Sequence, residues 1–288
     1  MPSFDPEWLA VQYNNRARVS DSAQIMERWG KASAHAREGL SCRLDVPYGD
    51  GPNEVLDFFP ASQPKAPILV FIHGGWWRAL DKRDHSFLAP GLVDAGATVV
   101  IPNYALCPGA AEQPVNIESI TLQMVKALAW VHRHAAELGD AKRIVVAGHS
   151  AGGHLAAMML SCDWKAVAPD LPARLVHSAL AVSGVYELEP LRNAPFLQSD
   201  LKLTPESAAK LSPALFPKPR GGQLCALVGA LESEEHLRQN RLIQQAWGTG
   251  TVPVCEAIPN THHFNVLHDL ADPAGRLQQV ALDLLGLG

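Results

Sequence analysis

Cysteine is scarce in this 288-residue chain: Cys42, Cys107, Cys162, Cys225 and Cys255 are widely scattered, and no two form a C-x-x-C pair. An odd number at such spacings excludes a disulfide framework and a dithiol or zinc motif, and predicts free thiols in a reducing compartment, the cytoplasm. Positive charge is also in short supply. The formal net charge is −5 and no run of lysines and arginines occurs, so the electrostatic footprint of a nucleic-acid partner is missing. Long hydrophobic stretches are absent as well. The longest strongly apolar runs, residues 67–72 and 97–101, fall far below the ~18 residues needed to span a bilayer. The opening MPSFDPEWLA has neither the basic start nor the apolar core of a secretory leader, so neither export nor a membrane partner is expected.

What remains is an ordinary globular composition, 47% hydrophobic and 18% charged. The length allows two domains, but α/β enzymes often reach it around one core, and a single domain over residues 1–288 is the expectation. Residues 1–40 are polar and read as a helical segment. Short β-rich runs then recur: Arg43–Val46, Val55–Phe59, Ile68–Ile72, Thr98–Ile101, Ile144–Ala147, Leu180–Val182, Leu224–Val228 and Val254–Ile258. Several are continuously apolar, as strands are when helices cover both faces of a parallel sheet. Between two of the runs, Ile117, Ile120, Met124, Leu128 and Val131 follow at spacings of three and four, which line one helical face. The alternation predicts an α/β fold with a mostly parallel central sheet flanked by helices, and an antiparallel hairpin over residues 42–59. Across residues 186–222 the alternation lapses into short, proline-rich helical pieces, read as a small cap or lid insertion.

The chemistry concentrates in three places. Gly148-His149-Ser150-Ala151-Gly152 fits G-x-S-x-G between a strand and a helix, the setting in which a sharp turn exposes a nucleophilic serine. His73-Gly74-Gly75-Trp76-Trp77 follows the strand Ile68–Ile72, where a glycine-rich loop lets backbone amides approach an oxyanion. The donors would be Gly75 and Ala151, with Gly74 and Trp76 as alternatives, and Trp76 and Trp77 are candidate walls of the substrate pocket, a place in the core being as good a reading for Trp77. A serine also needs a base and an acid to orient it, in the chain order serine, acid, histidine. Either His262 or His263, after the last strand-like run, suits the base. Glu232, at the end of the run Leu224–Val228, suits the acid, while Glu234 and Glu235 fit the first turn of a helix capped by Ser233. His149 and His154 lie too close to Ser150 in sequence to act as its base. No H-E-x-x-H or comparable ligand spacing occurs, so neither metal nor cofactor is expected.

Together these residues resemble the kynurenine formamidases (arylformamidases) of the α/β-hydrolase fold and the esterases related to them. HGGWW and GHSAGGHLAAMML carry the resemblance, with VPYGDGPNEVLDFFP, SGVYELEPL, LTPESAAKLSP and ESEEHLRQN leading to HHF. It implies Ser150 as nucleophile, His263 rather than His262 as base, Gly74 to Trp76 as oxyanion loop and Glu232 as acid, where family members usually carry aspartate. The implied reaction is hydrolysis of the small molecule N-formyl-L-kynurenine to kynurenine and formate. The same groups would serve a carboxylesterase acting on small acyl or aryl esters. A non-catalytic binding module would be expected to have lost the serine, the histidine or the oxyanion loop, and all are present. Arg192 and Asn193 are the cap candidates for recognising the substrate. Homo-oligomerisation is compatible with all of this.

Overall fold

The apolar runs of the sequence are strands in the structure, a computed structural model that describes residues 5–288. They are β1 (Arg43–Pro47), β2 (Val55–Phe59), β3 (Ile68–Ile72), β4 (Thr98–Pro102), β5 (Ile144–His149), β6 (Ser178–Val182), β7 (Gln223–Gly229) and β8 (Val254–Ile258), joined in one 8-stranded sheet in the order β1-β2-β4-β3-β5-β6-β7-β8. From β4 to β8 every neighbouring pair is parallel, while β2 pairs antiparallel with both β1 and β4. The sheet is therefore mixed and mostly parallel, the architecture of an α/β-hydrolase.

Burial explains the apolar runs. In β3, Ile68, Val70 and Ile72 enter the core on one face, and Leu69 and Phe71 enter the core on the other. A strand covered on both sides has no solvent face to mark with polar residues. The helix Ile117–Arg133 buries Ile117, Ile120, Met124, Leu128 and Val131, as their spacing predicts, and a capping box between Asn116 and Ser119 starts it.

Two segments outside the sheet shape the site. Residues 6–39 form the helices Pro6–Tyr13, Asn15–Arg18 and Ser22–Gly39, and residues 1–4 of the segment read as helical lie outside the described residues. Tyr13 anchors the first of these helices, its hydroxyl donating to Glu235 at 2.5 Å. Between β6 and β7 the chain runs through the helices Glu189–Arg192, Pro195–Leu201 and Pro205–Lys210, each with proline in its first turn, where the lost N–H costs nothing. Among the described residues no helix is long and apolar enough to cross a membrane.

Candidate active site

Strand β5 ends at His149 and a helix begins at Ala151, leaving Ser150 at the corner with φ 56° and ψ −116°. A non-glycine residue in that region costs about 1–3 kcal/mol and persists only where its surroundings impose it. Here the Ser150 amide donates to the Val182 carbonyl on β6 at 2.8 Å, and the elbow packs so tightly that a Cβ on Gly152 would lie 1.9 Å from the Ile72 carbonyl oxygen. Ala151 opens the helix Ala151–Leu160, whose first-turn amides have no partner within the helix.

The loop after β3 turns back on itself through positive φ at Gly75 (103°), Trp76 (54°) and Trp77 (56°). Gly75 is obligatory: a Cβ there would sit 2.1 Å from the Ala79 carbonyl oxygen. His73 braces the loop from below, with its ring nitrogens 2.8 Å from the Gly74 carbonyl and 3.1 Å from the Asn103 side-chain oxygen. The Tyr104 ring stacks on that imidazole at 4.2 Å, and its hydroxyl donates to the carbonyls of His73 and Gly74.

Opposite Ser150, the turn after β7 presents Glu232 and the loop after β8 presents His263. The Nδ1 of His263 donates to Glu232 Oε2 at 2.6 Å. The other carboxylate oxygen accepts from the Ser183 hydroxyl and from the Gly229 amide, the latter at 2.8 Å. A hydroxyl and an amide thus hold the Glu232 side chain in place beside the imidazole. Among the described residues no hydrogen bond joins Ser150 Oγ to His263, although both face one cavity of about 570 Å³. Such contacts often tighten only when substrate binds. Burial, together with nearby His262, pushes the His263 imidazole well below its ordinary value, which keeps it neutral and able to accept a proton. His262 instead serves a turn, its Nδ1 facing the amides of Phe264 and Asn265 at 3.3 Å.

Two assignments need correction. Trp77 does not wall the cavity: it is fully buried in the main core, edge-on to His154, because the positive-φ turn aims consecutive tryptophans to opposite sides. Trp76 does line the cavity. Arg192 and Asn193 are not at the cavity either, since both hydrogen-bond to Glu189 at the start of their own helix. The helical stretch between β6 and β7 contributes Phe196 and Asp200 instead, and the N-terminal segment contributes Asn14, Asn15 and Arg16. Sequence reading missed these, as it missed His236, fully buried 3.7 Å from Glu232 Oε2. No local motif marks them; only the ESEEHLRQN stretch hinted at His236.

Glu232, His236 and His263 bring ligand atoms within 4.8 Å of one another, a grouping that could hold a metal ion. The 2.6 Å contact between Glu232 and His263 suits a shared proton, whereas two ligands of a tetrahedral zinc ion lie roughly 3.3 Å apart.

The comparisons with known proteins bear on the family and the fold. A family model described as BD-FAE matches residues 56–167. A kynurenine formamidase from Salmo salar is 32% identical over 98% of this chain and 96% of its own length, and one from Danio rerio is 30% identical over 94% and 89%. Among solved structures, a Silicibacter sp. TM1040 protein provisionally called a thioesterase superposes with a TM-score of 0.83 at 32% identity, covering 94% of this chain and 98% of its own. A Pyrobaculum calidifontis esterase, 19% identical with a TM-score of 0.69 and covering 100% of this chain and 94% of its own, shares the fold. The chain belongs to the kynurenine formamidase family of α/β-hydrolases.

Proposed function

We propose that this protein is an arylformamidase that hydrolyses N-formyl-L-kynurenine to L-kynurenine and formate. The observation that carries the reading is the convergence of a strained serine and a carboxylate-bound, neutral imidazole on one cavity. Its kinship to kynurenine formamidases over nearly the whole chain supplies the substrate.

In this reading Ser150 Oγ attacks the formyl carbon and passes its proton to His263 Nε2. Glu232 fixes the tautomer, because its Oε2 holds the proton on Nδ1 and leaves the Nε2 lone pair free. The oxyanion that forms is held by the amides of Ala151 and Gly75, with Gly74 and Trp76 beside them. Collapse breaks the C–N bond, and His263 returns the proton to the departing aniline nitrogen. Water, activated by the same imidazole, then cleaves the formyl ester of Ser150 and releases formate.

A carboxylesterase is the second reading, since esterases share the fold and the same groups cleave esters. The deciding measurement is the ratio of kcat/KM for N-formyl-L-kynurenine to that for p-nitrophenyl acetate. The formamide is expected to be strongly preferred, S150A to abolish both reactions, and E232Q to lower both by about 10³- to 10⁴-fold. Robust ester cleavage with negligible deformylation would overturn the arylformamidase reading.

A further inference from the structure

The cavity beside Ser150 has aromatic walls at Trp29, Trp76 and Phe196, yet it also carries an ion pair. Arg78, two residues past Trp76, contacts Asp200 of the helix Pro195–Leu201, and the two side chains are 31% and 26% exposed. Apart from Arg16, they are the only formally charged side chains lining the cavity among the described residues. An ion pair of this exposure adds little to stability. At the wall of a concave, partly apolar site it acts more strongly, because the local dielectric is lower there than in open water.

We propose that Arg78 and Asp200 form the subsite for the zwitterionic α-amino-acid end of the substrate, Arg78 receiving the carboxylate and Asp200 the ammonium. The inference rests on the arylformamidase reading. Its geometry is suited to an exchange of partners. The guanidinium is held independently of Asp200, since Nη1 also donates to the Phe196 carbonyl at 3.1 Å and the group lies over the Phe196 ring at 5.8 Å. Asp200 has one further contact, from the Ser199 hydroxyl at 3.3 Å, so its carboxylate can turn toward an incoming ammonium. Inserting a zwitterion replaces one ion pair by two and leaves no charge unmatched. A substrate lacking the amino-acid end gains nothing from either residue.

The experiment compares kcat/KM for N-formyl-L-kynurenine with that for 2-formamidoacetophenone, which keeps the aryl formamide and the ortho ketone but has no amino-acid end. Wild type, R78Q, R78K and D200N are measured with both. The expected result is a fall in the selectivity ratio of about tenfold or more in R78Q, carried mainly by KM for N-formyl-L-kynurenine, with D200N moving the same way and R78K intermediate. Equal losses on both substrates would overturn the subsite and make the pair a latch between cap and loop. So would a wild-type enzyme that cleaves 2-formamidoacetophenone as efficiently as N-formyl-L-kynurenine, although the arylformamidase reading would survive. Failure of wild type on both formamides would sink that reading instead. Should R78Q fail to fold, the D200N ratio decides.

Discussion

In the proposed mechanism His263 must be neutral to accept the serine proton, so the acid side of the pH profile reports its ionisation in the free enzyme. Burial disfavours the imidazolium and places its pKa below the ordinary 6.5, so the neutral form persists to lower pH. The acid limb of kcat/KM should therefore have its midpoint below pH 6.5. A midpoint at or above 6.5 would mean that the Glu232 carboxylate outweighs burial. At this scale the sequence is legible where geometry is written locally. The elbow at Ser150 is readable because it needs small neighbours within two residues, and the place of Glu232 because it follows the end of an apolar strand by three residues. The choice of His263 over His262 came from family resemblance, and its physical cause is visible only in three dimensions, where the His262 ring is engaged with the following turn. For Trp77 the sequence leaves pocket wall and core open, because the direction of a side chain in a run of positive φ does not follow from residue type.

The glycine-rich loop after β3 is an element held at a distance. Asn103 at the end of β4 faces His73, accepts from the Lys82 amide and donates to Asp81. Lys82, 2% exposed, buries its ammonium between Asp57 of β2 at 2.6 Å and the solvent-facing Asp45 at 2.7 Å. Removing one partner of a buried pair strands the other, so K82M should cost about 3–5 kcal/mol in urea unfolding. D45A, which removes an exposed partner, should cost about 1 kcal/mol or less. A K82M loss as small as that of D45A would show that the buried pair is not what ties the loop to the sheet. None of this was visible in the sequence, because a lysine in a polar stretch reads as solvated until β2 is laid beside it. The strands themselves were legible down to their residues, with ends growing by one or two positions, since continuous apolar runs record burial on both faces.

Across the whole molecule, the buried histidines set the acid response. Burial lowers His85 and His149 to about 3, and His154 and His236 to about 4. Unfolded, each titrates near 6.5. Above that pH both states are neutral and the stabilising contribution is complete. As pH falls from 6.5 toward 4 the unfolded chain takes up protons that the folded one refuses, and each such site removes about 1.4 kcal/mol per pH unit. The thermal midpoint should thus be flat between pH 7 and 8 and fall steeply below 6.5; an equal midpoint at pH 5 and pH 7.5 would contradict the assignment. The helices of residues 6–39 give the fold one more property. Asn14, Asn15 and Arg16 form part of the cavity wall while belonging to none of the strands that carry Ser150, Glu232 or His263. In the arylformamidase reading, exchanges at Asn14 and Arg16 therefore retune what enters the cavity while leaving those strands alone, whereas Asn15, whose amide nitrogen lies 3.1 Å from His236 Nε2, reaches through His236 toward Glu232 as well.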